Sequence, residues 1–115
     1  MLFSLGDFVS ADVHGPKTYT VYRDVLSNDG QTFDHGKFQS LVTKSNNYSK
    51  LHEINLSFMR SGQISSIDKK IHTHGFTTKI VFRSEKDYVL YKNETAGVFS
   101  DIKSLSSDYK IVRRS

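Results

Sequence analysis

The chain contains no cysteine in its 115 residues. Disulfides, thiolate nucleophiles and Cys-ligated zinc are therefore excluded. It also lacks any apolar run near the roughly 20 residues that span a bilayer. The opening MLFSLGDFVSADV has no basic leader, and its apolar run is too short for a signal peptide. No phosphate loop, HExxH or GxSxG motif occurs, and no repeat or low-complexity segment stands out. Hydrophobic residues are sparse at 37%, so a modest core helped by oligomerisation is expected. These absences lead to the expectation of a soluble, cytoplasmic protein with no cofactor, no metal site and no membrane partner.

What the chain does have is aromatic rings: eight Phe and six Tyr. Each buried ring contributes on the order of 1.5–3 kcal/mol, so this set can build most of a core. The formal charge is +4, with basic residues dispersed except at Lys69-Lys70 and Arg113-Arg114. Such dispersion reads as a solvated surface, and nucleic acid is not the expected partner.

The most informative stretch runs from His72 to Arg113. From His74 to Phe82, residues alternate with the period of a strand. Ser84 is a candidate N-cap, with Glu85 and Asp87 in the first turn of a helix. Tyr88, Tyr91, Thr95, Val98, Ile102 and Leu105 recur at helical spacing, with Phe99 beside them. Asp108 to Arg113 alternates again as a closing strand. A competing reading pairs Lys79–Phe82 with Tyr88–Lys92 as a hairpin. The intervening Ser84-Glu85-Lys86-Asp87 lacks an Asn-Gly or Asp-Gly turn signal, so the helix is preferred.

Upstream, Met1–Pro16 reads as a short apolar arm ended by Gly15-Pro16. Lys17–Leu26 alternates as a first strand, with Tyr19, Val21, Arg23 and Val25 on one side. Thr32 or Asp34 can cap a short helix carrying Phe38, Leu41 and Val42. Ile54, Leu56 and Phe58 alternate with polar residues, which predicts a strand to Arg60. Residues 61–70 read as a polar connection. The order is β-α-β-β-α-β: an α+β, ferredoxin-like subunit over 17–115 with a short N-terminal arm over 1–16. Two helices cover one sheet face. The other carries Val81 beside Lys79 and Arg83, so a homodimer closing an α+β barrel is expected.

Thr73-His74-Gly75, the strand ending Val81-Phe82-Arg83-Ser84, the acidic helix start Glu85-Lys86-Asp87, then Tyr91, Phe99 and the last strand from Asp108 resemble the stress-responsive dimeric α/β-barrel (Dabb) family. The likeness covers residues 48–113, and residues 17–47 only by element order. It implies a homodimer of ferredoxin-like subunits. Some members are cyclases that fold a linear polyketide through an aldol step; others are stress proteins without established chemistry. In the enzymes a helix His acts as acid/base, with a Tyr and the Thr-His imidazole in the same cleft. Carried over, the Thr-His imidazole falls on His74 and the helix Tyr on Tyr91 or Tyr88. The family's His-Pro-x-His segment falls within Asn93-Glu94-Thr95-Ala96-Gly97, where neither His is present. Ala96 or Gly97 cannot move a proton.

The chain is therefore expected to be non-catalytic, or to bind a small hydrophobic ligand in the sheet–helix cleft. His74, Phe76, Tyr88, Tyr91 and Phe99 are the expected ligand-binding residues, and His74 and Tyr91 the candidates if catalysis occurs. His72 and His74, two apart on one strand, can share a metal only with a third ligand, and none is evident. Two alternatives stay open: a polyketide-cyclase-like or monooxygenase-like enzyme, and a single-stranded RNA-binding module. The latter rests on a partial echo of the RNA-recognition strand motif at His74-Gly75-Phe76, whose further spacing is not met.

Overall fold

Alternation along β1 (Tyr19–Ser27) sets the frame of the molecule: Val21 and Val25 are buried, and the residues between them are not. The computed structural model describes residues 19–28, 30–102 and 107–114. The expected arm at 1–16 lies outside the described residues, as does Leu105. After β1 come α1 (His35–Val42), α2 (Asn46–Arg60), β2 (Ile64–His72), β3 (Gly75–Phe82), α3 (Glu85–Ile102) and β4 (Tyr109–Arg114). The four strands form one antiparallel sheet in the order β2-β3-β1-β4. This α+β arrangement is consistent with the ferredoxin-like pattern.

Residues 85–102 coil as expected. Ser84 Oγ accepts from the Asp87 N–H at 3.2 Å, and Tyr91, Thr95, Phe99 and Ile102 form the buried face. The hairpin alternative is thereby excluded.

Residues 54–60 correct the sequence reading. They are helix, not strand. Ser45 caps α2 by accepting from the Tyr48 N–H at 3.1 Å. Leu51, Asn55 and Phe58 are buried, with Ile54 packed beside them, at the spacing of one helical face. Leu56, which the alternating pattern placed with Ile54 and Phe58, is turned outward and 37% exposed. Gly62 stops the helix at φ +77°: its N–H reaches the Met59 carbonyl, and the Gln63 N–H reaches Phe58. That is the paired closure that favours glycine just past a helix end.

The second strand is instead Ile64–His72, which takes up most of the stretch 61–70 read as a polar connection. It is an edge strand, and Asp68, Lys69 and Lys70 keep it soluble. A register shift between Ile64 and Ser66 breaks its alternation. His72 ends β2, and Thr73-His74 turn the chain into β3, so the two histidines do not share a strand. At that turn β3 approaches β1 closely. A Cβ on Gly75 would lie 1.8 Å from the Val25 carbonyl oxygen, which explains a glycine there.

Helices cover the face carrying Val21, Val25, Phe76, Ile80 and Ile111. The core beneath them falls into two clusters. One gathers Phe33, Phe38, Phe76, Phe99 and Tyr109; the other gathers Phe58, Phe82 and Tyr91. The opposite face carries Tyr22, Leu26, Val81 and Val112, all half-buried, among Asp68, Lys79 and Lys110.

Candidate functional site

The helix layer over β1 and β3 is split. α1 ends at Val42, α2 begins at Asn46, and a cleft of about 770 Å³ opens between these segments and the sheet. That volume lies in the range of small-molecule sites. Phe38, Tyr48 and Phe76 supply its aromatic walls, and Arg23, Lys69 and Thr78 come from three neighbouring strands.

Arg23 lies between Val21 and Val25 on β1, so strand alternation points it at the helices. Its guanidinium sits 5.6 Å from the centre of the Tyr48 ring. Its Nε is buried and has no hydrogen-bond partner among the described residues. Among the described residues, no carboxylate lies within ion-pair distance of it. Its cross-strand neighbours are Thr78 and Arg113, so a second guanidinium stands where a counter-ion would help. From β2, Lys69 places its ammonium 4.3 Å over the Phe76 ring. His35 stacks on the same ring, with centroids 6.2 Å apart. Glu53 is the one carboxylate among the cleft's lining residues, against Arg23, Lys69 and two imidazoles, His35 and His52.

A second polar group lies under α3, and it is closed on itself. Tyr91 is 2% exposed and donates its hydroxyl to Asn55 Oδ1. Thr95 Oγ1 donates to the Tyr91 carbonyl at 2.7 Å and accepts from Arg113. Burial pushes the Tyr91 hydroxyl above its ordinary value, partly offset by the Arg23 and Arg113 charges. Burial also pulls Arg113 below its ordinary value, while its guanidinium lies 5.0 Å over the Phe99 ring.

No family model, curated protein or solved structure matches this chain. The site is therefore read from its own residues. Of the five expected ligand-binding residues, Phe76 lines the cleft. Phe99 is buried in the same core cluster, while Tyr88 and Tyr91 belong to the other. His74 is exposed in the β2–β3 turn, its Nδ1 3.0 Å from the Gln31 carbonyl oxygen. His72 Nε2 is 3.4 Å from Thr77 Oγ1. Among the described residues, no group of three or more His, Cys, Asp or Glu is placed to hold a metal ion. Among them, too, no helix is long and apolar enough to cross a membrane.

Sequence reasoning missed Arg23, Tyr48 and Lys69. Arg23 carried a readable signal: a cation in register with Tyr19, Val21 and Val25, the strand's apolar side. Tyr48 and Lys69 did not, because α2 and β2 had been assigned to other structures.

Proposed function

We propose that the chain is a non-catalytic binding protein of the dimeric α+β barrel type, taking a small ligand with a flat apolar body in the cleft under α1 and α2. The observation that carries this reading is the cleft itself. Phe38, Tyr48 and Phe76 line a solvent-open cleft of about 770 Å³ between the helices and the sheet. A concave, aromatic-lined volume of that size with a few polar groups is the usual form of a small-molecule site.

Two placements support binding over catalysis. His74 is exposed and engaged with a backbone carbonyl, and the Tyr91 hydroxyl is committed to Asn55. Neither lines the cleft. The exposed Glu94 replaces no missing acid/base there. On the open sheet face the one aromatic residue in register is Tyr22, covered by the Arg114 guanidinium at 4.8 Å. That leaves little stacking surface for RNA.

The same face supports pairing with a second copy. Its half-buried Tyr22, Leu26, Val81 and Val112 lie among charges of both signs, so a two-fold mate can bring some opposite charges together across the seam.

Isothermal titration with naphthalene-based probes, neutral and anionic, tests the ligand reading. One site per chain is expected, and Ser49→Trp at an exposed lining position abolishes it. Failure of every probe to saturate contradicts the reading.

A further inference from the structure

We infer that the cleft ligand carries an oxyanion, a carboxylate or phosphate, which seats on Arg23 while its flat body lies among the aromatic walls. This deepens the binding reading above and rests on it.

Four observations converge. First, Arg23 Nε is buried without an acceptor. A buried donor left unpaired is costly, and more so on a charged group. Secondly, the cross-strand neighbour on β4 is Arg113, which raises the cost of holding Arg23 without a counter-ion. Thirdly, Lys69 supplies another basic side chain to the cleft, where Glu53 is the one carboxylate among the described lining residues. Fourthly, the Arg23 guanidinium is packed over Tyr48, so it is already held in place before any ligand arrives.

A protein interior with no use for Arg23 would gain by replacing it with an apolar residue of similar length. Its place between two buried valines, with Nε unpaired among the described residues and the aromatic cleft beside it, is the pattern of a preorganised anion clamp. Guanidinium geometry also favours this ligand class: the two Nη groups present parallel N–H groups that match two oxygens of a carboxylate or phosphate. Lys69 then adds its charge from the β2 edge without fixed geometry. A ligand with a flat body and one oxyanion satisfies each of these features.

The test compares naphthoate and naphthyl phosphate with neutral naphthalenemethanol by titration calorimetry on the full chain. At least one of the two anions is expected to bind about tenfold or more tightly than the alcohol. The better anion tells carboxylate from phosphate. The preference should persist at about 0.5 M NaCl, because a buried contact is weakly screened. In Arg23→Met the preference collapses to within about twofold while alcohol binding persists. Arg23→Lys keeps the charge and loses most of the preference, because the fork is gone.

Equal binding of all three probes, or a preference that survives Arg23→Met or vanishes with salt, overturns the oxyanion but leaves the cleft reading standing. No binding by any probe overturns both. Should Arg23→Met fail to fold, Arg23→Lys and the wild-type comparison at two salt concentrations decide.

Discussion

At the scale of single residues, the interior treats its polar groups in two opposite ways. Around Tyr91 every partner is used: its hydroxyl meets Asn55, and Thr95 bridges Arg113 to the α3 backbone. Arg23 Nε is left open. Tyr91→Phe would strand Asn55 Oδ1 in the core. The expected loss is about 1–3 kcal/mol in a urea melt, and an unchanged midpoint would show that the contact carries no weight. On the open face, the bond from Arg114 holds the Asp24 carboxyl below its ordinary range, with a further contribution from Thr77 at 2.6 Å. A carboxyl depressed on folding stabilises above its unfolded value near 3.9 and loses that contribution as pH falls through the folded value. Asp24→Asn should therefore be less stable than the parent at pH 7, with the gap closing below about pH 4. A gap independent of pH would remove the ion pair from the account. The pair is partly exposed, so its contribution is small.

At the scale of elements, each helix has its own start. Asp34 and Ser45 cap α1 and α2 by accepting from Lys37 and Tyr48 N–H groups. The interval between the two helices is what opens the cleft. Gly62 ends α2 in left-handed backbone. Gly62→Ala should cost about 1–2 kcal/mol, the usual penalty for a Cβ in that region. A neutral result in thermal or urea melts would place the helix stop elsewhere. These elements also show what the sequence could tell. β1, β3 and β4 were legible because one period ran through each; α3 had a hairpin competitor at its start, set aside because Ser84-Glu85-Lys86-Asp87 lacks a turn signal. Residues 46–72 were not legible. Ile54, Leu56 and Phe58 fit a strand, and Leu51, Ile54, Asn55 and Phe58 fit a helix equally well; the Ser45 cap and the Gly62 stop decide between them. β2 hid because it is a charged edge strand with a shifted register, which spaces Ile64, Ile67 and Ile71 like a helix. The α+β class and four strands were nevertheless reached, but with two helices where there are three, because the segment that forms α2 was read as the second strand. The cleft was anticipated only at Phe76, because Tyr48, His52, Glu53 and Lys69 come from the misread segment.

At the scale of the whole molecule, the sheet separates a helix-covered side, where the proposed ligand cleft lies, from an open side, the proposed pairing face. Helices, cleft and both aromatic clusters occupy one face; the other bears half-buried apolar residues among charges. The two roles should therefore separate. Light scattering of the parent chain is expected to give twice the 13.1 kDa subunit mass. Val81→Asp, in the middle of the open face, should give the single subunit mass and still bind naphthyl probes. A parent chain of single subunit mass, or a dimer untouched by Val81→Asp, would contradict pairing through this face.

The central claim is that Arg23 waits for an anion inside the cleft. The most direct measurement is the Nε–H resonance of Arg23, followed by heteronuclear NMR during titration with naphthoate. The account predicts a saturable shift of that resonance, together with the amides of Tyr48 and Thr78. An unmoved Arg23 signal, with perturbations gathered on Tyr22 and Lys79 instead, would contradict it.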